Sequence, residues 1–371
     1  MYATEWMMWW GCLKSDEELG SHSRGARPSP RAVSYVEDVA QERAAQQAKR
    51  CDRAVSRGPV YAANDIYMEM RCGGMEDKRG LITLATAIFV GMILYAWAVS
   101  SGPILFAVLL GSMKWYDSSI GWQQYFDLAF DVIIFGVPLW LYFRHAFRFS
   151  RLEVLTSRHL LVRFNRITRQ VYLHRPSHCG GVLVLPWNGT TSMEMAGQRL
   201  MLGWFPDDTP LPFPNFALVG KPSSRLYDLQ AEWEFIRRYM DEGGLQAVER
   251  PRISSQVPLP WPAFTAQFEA LGPFLRNSGP LTWLGCVLIS PAFVIVGLSH
   301  WASLLLCWRP RWPRVIREAG QPGKLAPAFT TVADYPPDVQ SQLLANAHRW
   351  KLRPGRAPES SSRVGKKRER N

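Results

Sequence analysis

Two long stretches of the chain carry no charge. From Leu81 to Met113, 33 consecutive residues include no Asp, Glu, Lys or Arg, and Asn277–Trp308 adds 32 more. Runs of about 18 or more apolar residues mark membrane helices. As one helix the first run would be about 50 Å long, which exceeds the roughly 30 Å hydrocarbon core. Ser100-Ser-Gly-Pro103 predicts a break, because proline removes a backbone donor. The expectation is a span at 81–100 followed by a short helix or a surface segment. A second span is expected at Phe126–Phe143. Only 12 residues separate Asp131 from Arg144, so this span must include Phe126–Phe130, which places Asp131 about one turn inside the membrane edge. An acid there is a candidate functional group; the competing reading is that it reaches the interface or caps a shortened helix. Trp115, Tyr116 and Trp122 between the spans fit an interfacial aromatic belt.

Residues 150–245 change period. Leu160, Val162 and Phe164 alternate with Leu161, Arg163 and Asn165, as in a half-buried strand. Gln170–His174 and Gly181–Trp187 follow, the latter ending at the turn dipeptide Asn188-Gly189. Further strands are expected at Thr191–Met195, Arg199–Trp204 and Asn215–Gly220. Leu226, Leu229, Trp233, Ile236 and Tyr239 then recur at helical spacing, and Gly243-Gly244 ends that helix. The fold class is therefore an α+β membrane protein: helical transmembrane segments plus a small antiparallel β domain capped by a C-terminal helix. This arrangement resembles pleckstrin-homology-like domains.

The domain organisation follows. Residues 1–60 read as a poorly ordered N-terminal extension, with a short helix at Val36–Lys49. Residues 61–145 form a two-span hairpin with a short external loop, 114–125. Residues 146–245 form the β-rich domain with its capping helix at 226–240. Residues 246–279 are a Pro/aromatic linker, and 309–371 are a basic C-terminal region. The third run, 280–308, is too short for two spans and long enough for one. Its far flank holds Arg309, Arg311, Arg314 and Arg317, yet the run also begins on the basic side. A re-entrant helix broken at Pro291 resolves that conflict; the alternative is a third span with an external basic tail.

Charge sets the orientation. Lys78 and Arg79 precede the first span, Arg144, Arg148, Arg151 and Arg158 follow the second, and the loop between them offers only Lys114. Positive charge collects on the cytoplasmic side, which places residues 1–80 and 144 onward there. The net charge is +12. Residues 309–371 hold 14 Lys or Arg against 5 acids, and the tail Arg363–Arg370 has three readings: anionic lipid, nucleic acid, or a solvated end that obeys the charge rule. No RNA-binding or zinc-finger pattern is present, so nucleic acid is not an expected partner; the bilayer is. Six cysteines without a CxxC pair argue against a disulfide framework.

Candidate chemistry is sparse. His174, His178 and Cys179 could offer two imidazoles and a thiolate to zinc, but no fourth ligand is evident and the segment reads as a hairpin loop. Asp207-Asp208 beside two prolines reads as a solvated turn. There is no G-x-S-x-G elbow, P-loop or H-E-x-x-H, so neither a catalytic residue nor a cofactor is expected. Arg163, Arg166, Arg169 and Arg175 form a basic hairpin region that could meet a lipid headgroup or a protein partner; the plainer reading is a charged strand edge that resists pairing. Trp187 and Trp233 read as core.

Four elements together resemble a known family: Asn64-Asp-Ile-Tyr67-Met-Glu69 ahead of Lys78-Arg79-Gly80; Phe164–Tyr172 with Gly181–Trp187; Trp233–Met240 with Gly243; and the run with Ser290-Pro291 followed by Arg311-Trp312-Pro313. They look like proteobacterial multi-pass inner-membrane proteins with a cytoplasmic strand-rich domain, often encoded near type VI secretion genes. The resemblance covers residues 60–320 and brings no catalytic residues. It implies a membrane-anchored accessory or adaptor that binds a secretion component or effector. The alternative is an immunity protein against a membrane-acting toxin, using loop 114–125 and Asp131. A membrane enzyme or transporter is the third reading; no inverted repeat is visible.

Overall fold

A computed structural model describes residues 1–15, 18, 51–109, 122–195, 197–269 and 278–350. The helix expected at 36–49, most of the loop 114–125 and the basic tail 363–370 lie outside the described residues. The helices are α1 (Ala3–Leu13), α2 (Leu81–Leu109), α3 (Trp122–Leu141), α4 (Leu226–Arg238), α5 (Pro260–Glu269), α6 (Pro280–Leu305), α7 (Arg314–Glu318) and α8 (Pro337–Asn346). The strands are β1 (Val60–Ala63), β2 (Tyr67–Cys72), β3 (Leu160–Asn165), β4 (Gln170–His174), β5 (Leu183–Pro186), β6 (Thr191–Met193), β7 (Gln198–Trp204) and β8 (Asn215–Ser223). The chain divides into two compact units: Met1–Trp6, Gly73–Leu160 and Ser255–Arg311 make the first, and the remaining residues make the second.

Apolar helices dominate the first unit. Three segments, Glu76–Gly102, Ala129–Ser150 and Pro280–Leu305, are long and apolar enough to cross a membrane. Their faces expose Met92, Tyr95, Phe130, Trp140, Val287 and Leu288. The expected break at Ser100–Pro103 does not occur, and α2 runs through Pro103 to Leu109. Proline costs one hydrogen bond locally, whereas ending the helix among apolar side chains would strand several backbone groups without partners. For the same reason α6 passes through Pro291 unbroken, which corrects the expected break there. In α3, Pro138 precedes a wide turn, Tyr142–Ala146, before the helix resumes at Phe147–Ser150.

Residues 246–279 are more than a linker, because α5 runs antiparallel along α6. Phe264 meets Gly297, where a Cβ would lie 2.5 Å from the ring. Phe268 meets Phe293 at 5.5 Å between ring centroids. Trp301 Nε1 donates to Pro258 O (2.9 Å) and Arg309 Nε to Gln256 Oε1 (2.8 Å). Residues 256–269 thus lie along residues 293–309, and Gln256 and Arg309 lie together. The basic flank at 309 and the entry at 256 share one end, so no broken helix is needed to reconcile them.

The second unit holds one antiparallel sheet in the order β5-β4-β3-β2-β8-β7-β6, with β1 paired to β2. Two of its strands precede the first apolar helix, so the boundary expected at 60/61 falls within the strand segment and residues 146–245 are only part of the sheet. The β1–β2 turn forms because Asn64 Oδ1 accepts the N–H groups of Ile66 and Tyr67 (2.9 and 2.8 Å), a local bond that asparagine makes readily. Met68 and Met70 are fully buried in β2. As expected, a helix follows the last strand: α4 lies against β7 and β8 and buries Leu229, Phe235 and Ile236. Trp187 is buried and lies 5.6 Å from Trp233 between ring centroids.

The sheet is not polar on its second face. Every residue of β3 and β4 is buried, because Trp312, Ile316 and Ala319 pack on Leu161, Tyr172 and Val184. Residues 312–350 are therefore structural, a role not foreseen in the expectation of a basic C-terminal region at 309–371. Thr330 extends this cover, exchanging hydrogen bonds with the Val184 backbone (3.0 and 2.8 Å). The N-terminal residues also differ from expectation: α1 is a regular helix, and its Trp9 stacks on Tyr335 (5.2 Å). The carbonyls of Gly11 and Cys12, left without intrahelical donors, accept from Arg349 (3.2 Å) and Asn346 (3.0 Å).

Two substitutions test this packing. Trp312→Ala should destabilise the protein by about 3–5 kcal/mol through the cavity it leaves. Gly220→Ala should cost about 2 kcal/mol or more, because Gly220 has φ +74° and a Cβ there would lie 1.9 Å from Glu232 Oε2. Thermal unfolding of the full chain in detergent reads both.

Candidate functional site

In the first unit, buried charge gathers where the three long apolar helices begin or end. Arg79 precedes α2 and is fully buried. Its Nε donates to Ser303 Oγ (2.9 Å) near the end of α6. One terminal nitrogen donates to Glu76 Oε1 (3.3 Å) and Arg158 O (2.5 Å). The other donates to Glu153 O (2.9 Å) and Cys307 Sγ (3.1 Å). A guanidinium carries five N–H donors in a rigid fork, and this one reaches three separate chain segments at once.

The connector after the second apolar segment supplies two complementary charges. Glu153 Oε2 accepts from the Thr83 backbone N–H (2.9 Å) and hydroxyl (2.8 Å). That puts a carboxylate at the N-terminus of α2, where free N–H groups and the helix dipole favour negative charge. Arg158 does the converse, donating to the carbonyls of Leu304 (3.0 Å) and Cys307 (3.0 Å), where a cation complements the C-terminus of α6. Glu76 adds a second buried carboxylate, with His159 Nδ1 at 3.8 Å, His300 Nε2 at 3.9 Å and the Met1 amino nitrogen at 2.8 Å. Gly80 makes the close approach possible: at φ +102°, a Cβ would lie 2.6 Å from the His300 backbone nitrogen, and Ser299 Oγ donates to its carbonyl (2.8 Å).

Asp131 belongs to a different place. Its Oδ2 accepts from Ser100 (2.5 Å) and Ser101 (2.7 Å), about 30 Å along α2 from Leu81 at 1.5 Å per residue. It ties the second apolar segment to the first at the end opposite Arg79.

The four arginines of the β3–β4 region do not converge on one exposed face. Arg163 is buried because residues 312–319 cover its side of the sheet. It forms an ion pair with Glu69 (2.8 Å) and donates to Ile316 O (3.3 Å). Tyr67 and Trp312 sandwich its guanidinium at 4.2 and 4.8 Å, and Trp312 Nε1 also donates to Glu69 Oε2 (2.7 Å). Arg175 is buried against Asn215 and the Phe216 carbonyl. Arg166 bonds the Asp65 carbonyl (3.2 Å). Arg169 remains exposed and bonds Met240 O (2.8 Å), Asp241 (2.7 Å) and Asn188 (3.1 Å). His174 lies edge-on to Trp312 at 5.2 Å. Among the described residues, no three His, Cys, Asp or Glu side chains are placed to hold a metal ion.

A second buried acid stands in the second unit. Glu232 of α4 is fully buried. One carboxyl oxygen accepts from the Gly58 N–H (3.2 Å), and Oε2 has no hydrogen-bond partner among the described residues. Burial pushes its pKa up to about 7 from the ordinary 4.5, against the pull of Arg57, the Gly58 N–H and Arg199.

These acids and Arg79 carried weak sequence signals. Arg79 reads as one more flanking positive charge. Glu153 is the only acid between Asp131 and Glu194, a lone carboxylate in an arginine-rich stretch, and that was the available clue. The chain matches no family model, no curated protein and no solved structure.

Arg79→Met should destabilise the first unit by about 3–5 kcal/mol, since it leaves buried carboxylates without their partner; chemical unfolding in detergent measures this. Glu232 predicts a pH dependence. Its folded-state pKa lies above its unfolded one, so its contribution is complete below about pH 4.5 and is lost as pH rises through about 7. The loss should approach about 3 kcal/mol, and Glu232→Gln should flatten that part of the stability profile.

Proposed function

We propose that the chain is an integral membrane protein that anchors its β-rich unit at the cytoplasmic face of a bacterial inner membrane and there binds a protein partner. The observation that carries this reading is the Arg79–Glu153–Arg158 cluster, which joins the near ends of all three apolar segments. The chain connections out of the first unit at residues 72/73, 160/161, 254/255 and 311/312 depart from that end in sequence, and the fifth, at 6/7, follows a Met1 amino group that pairs with Glu76 there. Lys78, Arg144, Arg148, Arg151, Arg309 and Arg311 also flank it, as the positive-inside rule requires of a cytoplasmic side. The separation of about 30 Å along α2 between Leu81 and the serines that hold Asp131 equals one hydrocarbon thickness, so Asp131 belongs to the outer edge. There it holds two helices together by hydrogen bonds.

The helix-capped sheet, read as a pleckstrin-homology-like module, is the interaction part of this proposal. The family resemblance adds the kind of partner: a secretion-system component or effector.

Two measurements test the reading. The protein should stay with membranes through an alkaline carbonate wash. In intact cells a cysteine introduced at Ser118 should react with an impermeant maleimide, and one introduced at Arg250 should not; the reverse pattern would overturn the orientation. Crosslinking in native membranes, followed by tag purification and mass spectrometry, should return a defined protein partner that is lost when residues 161–254 are replaced. Recovery of lipid alone would remove the interaction role.

A further inference from the structure

Between the first two apolar segments lies a groove with a volume of about 660 Å³, within the range of about 300–1,000 Å³ usual for small-molecule sites. Leu81, Ala85, Phe89, Leu141, Tyr142 and Phe149 line it. Its few polar atoms satisfy one another: the Tyr142 hydroxyl meets Ser150 Oγ at 2.6 Å and Thr86 Oγ1 at 3.4 Å, and Thr86 meets Ser150 at 2.9 Å. A polar ligand would therefore leave its own groups unpaired there, while an apolar chain would lose nothing. Pro138 and the wide turn after Leu141 shape the second wall.

The rim is cationic. Arg148 places its guanidinium 4.9 Å over the ring of Phe149, which lines the groove. Arg144, Arg148 and Arg151 are all exposed, and none has a carboxylate within ion-pair distance among the described residues. Arg79 and Arg158 of this unit are spent inward at helix ends; these three are not.

We propose that this groove binds an anionic glycerophospholipid, with one acyl chain along Ala85, Phe89 and Leu141 and the phosphate at Arg148 and Arg151. The inference rests on the membrane reading above. In a bilayer the chain by itself gives no preference, because lipid tails are as apolar as the groove. Selection comes from the charged rim. The wall mixes small residues such as Ala85 and Ala146 with bulky Phe89, Leu141 and Phe149, so the exposed cations beside it, and not the wall, favour a lipid over a partner helix.

The test uses the full-length protein reconstituted into phosphatidylcholine vesicles that carry a trace of spin-labelled phosphatidylglycerol or spin-labelled phosphatidylcholine. The motionally restricted fraction of each label is read by electron paramagnetic resonance. Phosphatidylglycerol should be favoured about fivefold or more at low salt, and the preference should shrink as salt screens the rim. Replacing both rim cations, Arg148→Gln with Arg151→Gln, should bring the ratio to about one. Ala85→Trp, which fills the groove, should lower the restricted fraction of both labels. Val132→Trp, on an exposed face outside the groove, should not. Equal restriction of the two labels, or a preference that survives the double arginine variant, overturns the inference. So does an Ala85→Trp variant that abolishes crosslinked dimers and leaves the lipid signal unchanged, which would assign the groove to a second copy. Failure of the protein to float with vesicles would instead defeat the membrane reading, a result distinct from flotation without lipid preference.

Discussion

One buried guanidinium organises the helical unit. Arg79 sits where α2 begins and binds Glu76, Ser303, Cys307 and the carbonyls of Glu153 and Arg158. An isolated charge buried this deeply would be very costly. It is tolerated because all its donor directions meet acceptors and because carboxylates share the site. The same residues answer a second need, the unpaired groups at helix ends. Glu153 meets the N–H groups at the start of α2, and Arg158 meets the carbonyls at the end of α6. A single connector of about ten residues, carrying one acid and one base, thus completes two helices of opposite direction.

The sheet is governed by a related constraint. Once residues 312–319 cover its second face, any charge on that face must find a partner inside. Arg163 does so with Glu69, Trp312 and Tyr67. The pair then works as a fastener, since the segment that buries it also supplies the indole N–H that completes Glu69. Glu232 is the incomplete counterpart: an acid against Gly58 and Gly220 with one oxygen unmatched, whose ionisation burial opposes.

Arginines in this chain serve two different ends. Arg79, Arg158, Arg163 and Arg175 act on backbone carbonyls and buried acids, whereas Arg144, Arg148 and Arg151 meet the surroundings beside an apolar groove. Net charge alone describes neither group, because identical side chains are divided by whether a helix end or a covered sheet face happens to need them.

The pattern of residues by itself determined the three apolar segments, the antiparallel strands between 160 and 223, and the helix that follows them. Those features depend on local period and on the length of an uncharged run, both readable along the chain. It also supplied Asp131 as an acid near the end of an apolar segment, though not the serines that hold it. Tertiary structure decided the rest. Whether Pro103 and Pro291 end a helix depends on what the freed backbone groups could pair with instead. That Tyr67–Cys72 enters the middle of the sheet depends on pairing with strands at 160 and 215. The inward turn of Arg163 depends on Trp312, which lies 149 residues away in sequence. Arg79 reads as an ordinary flanking charge until Ser303, Glu153 and Arg158 are brought beside it. Contacts between residues so far apart leave no periodic trace, because each needs only one residue of the right chemistry at each end.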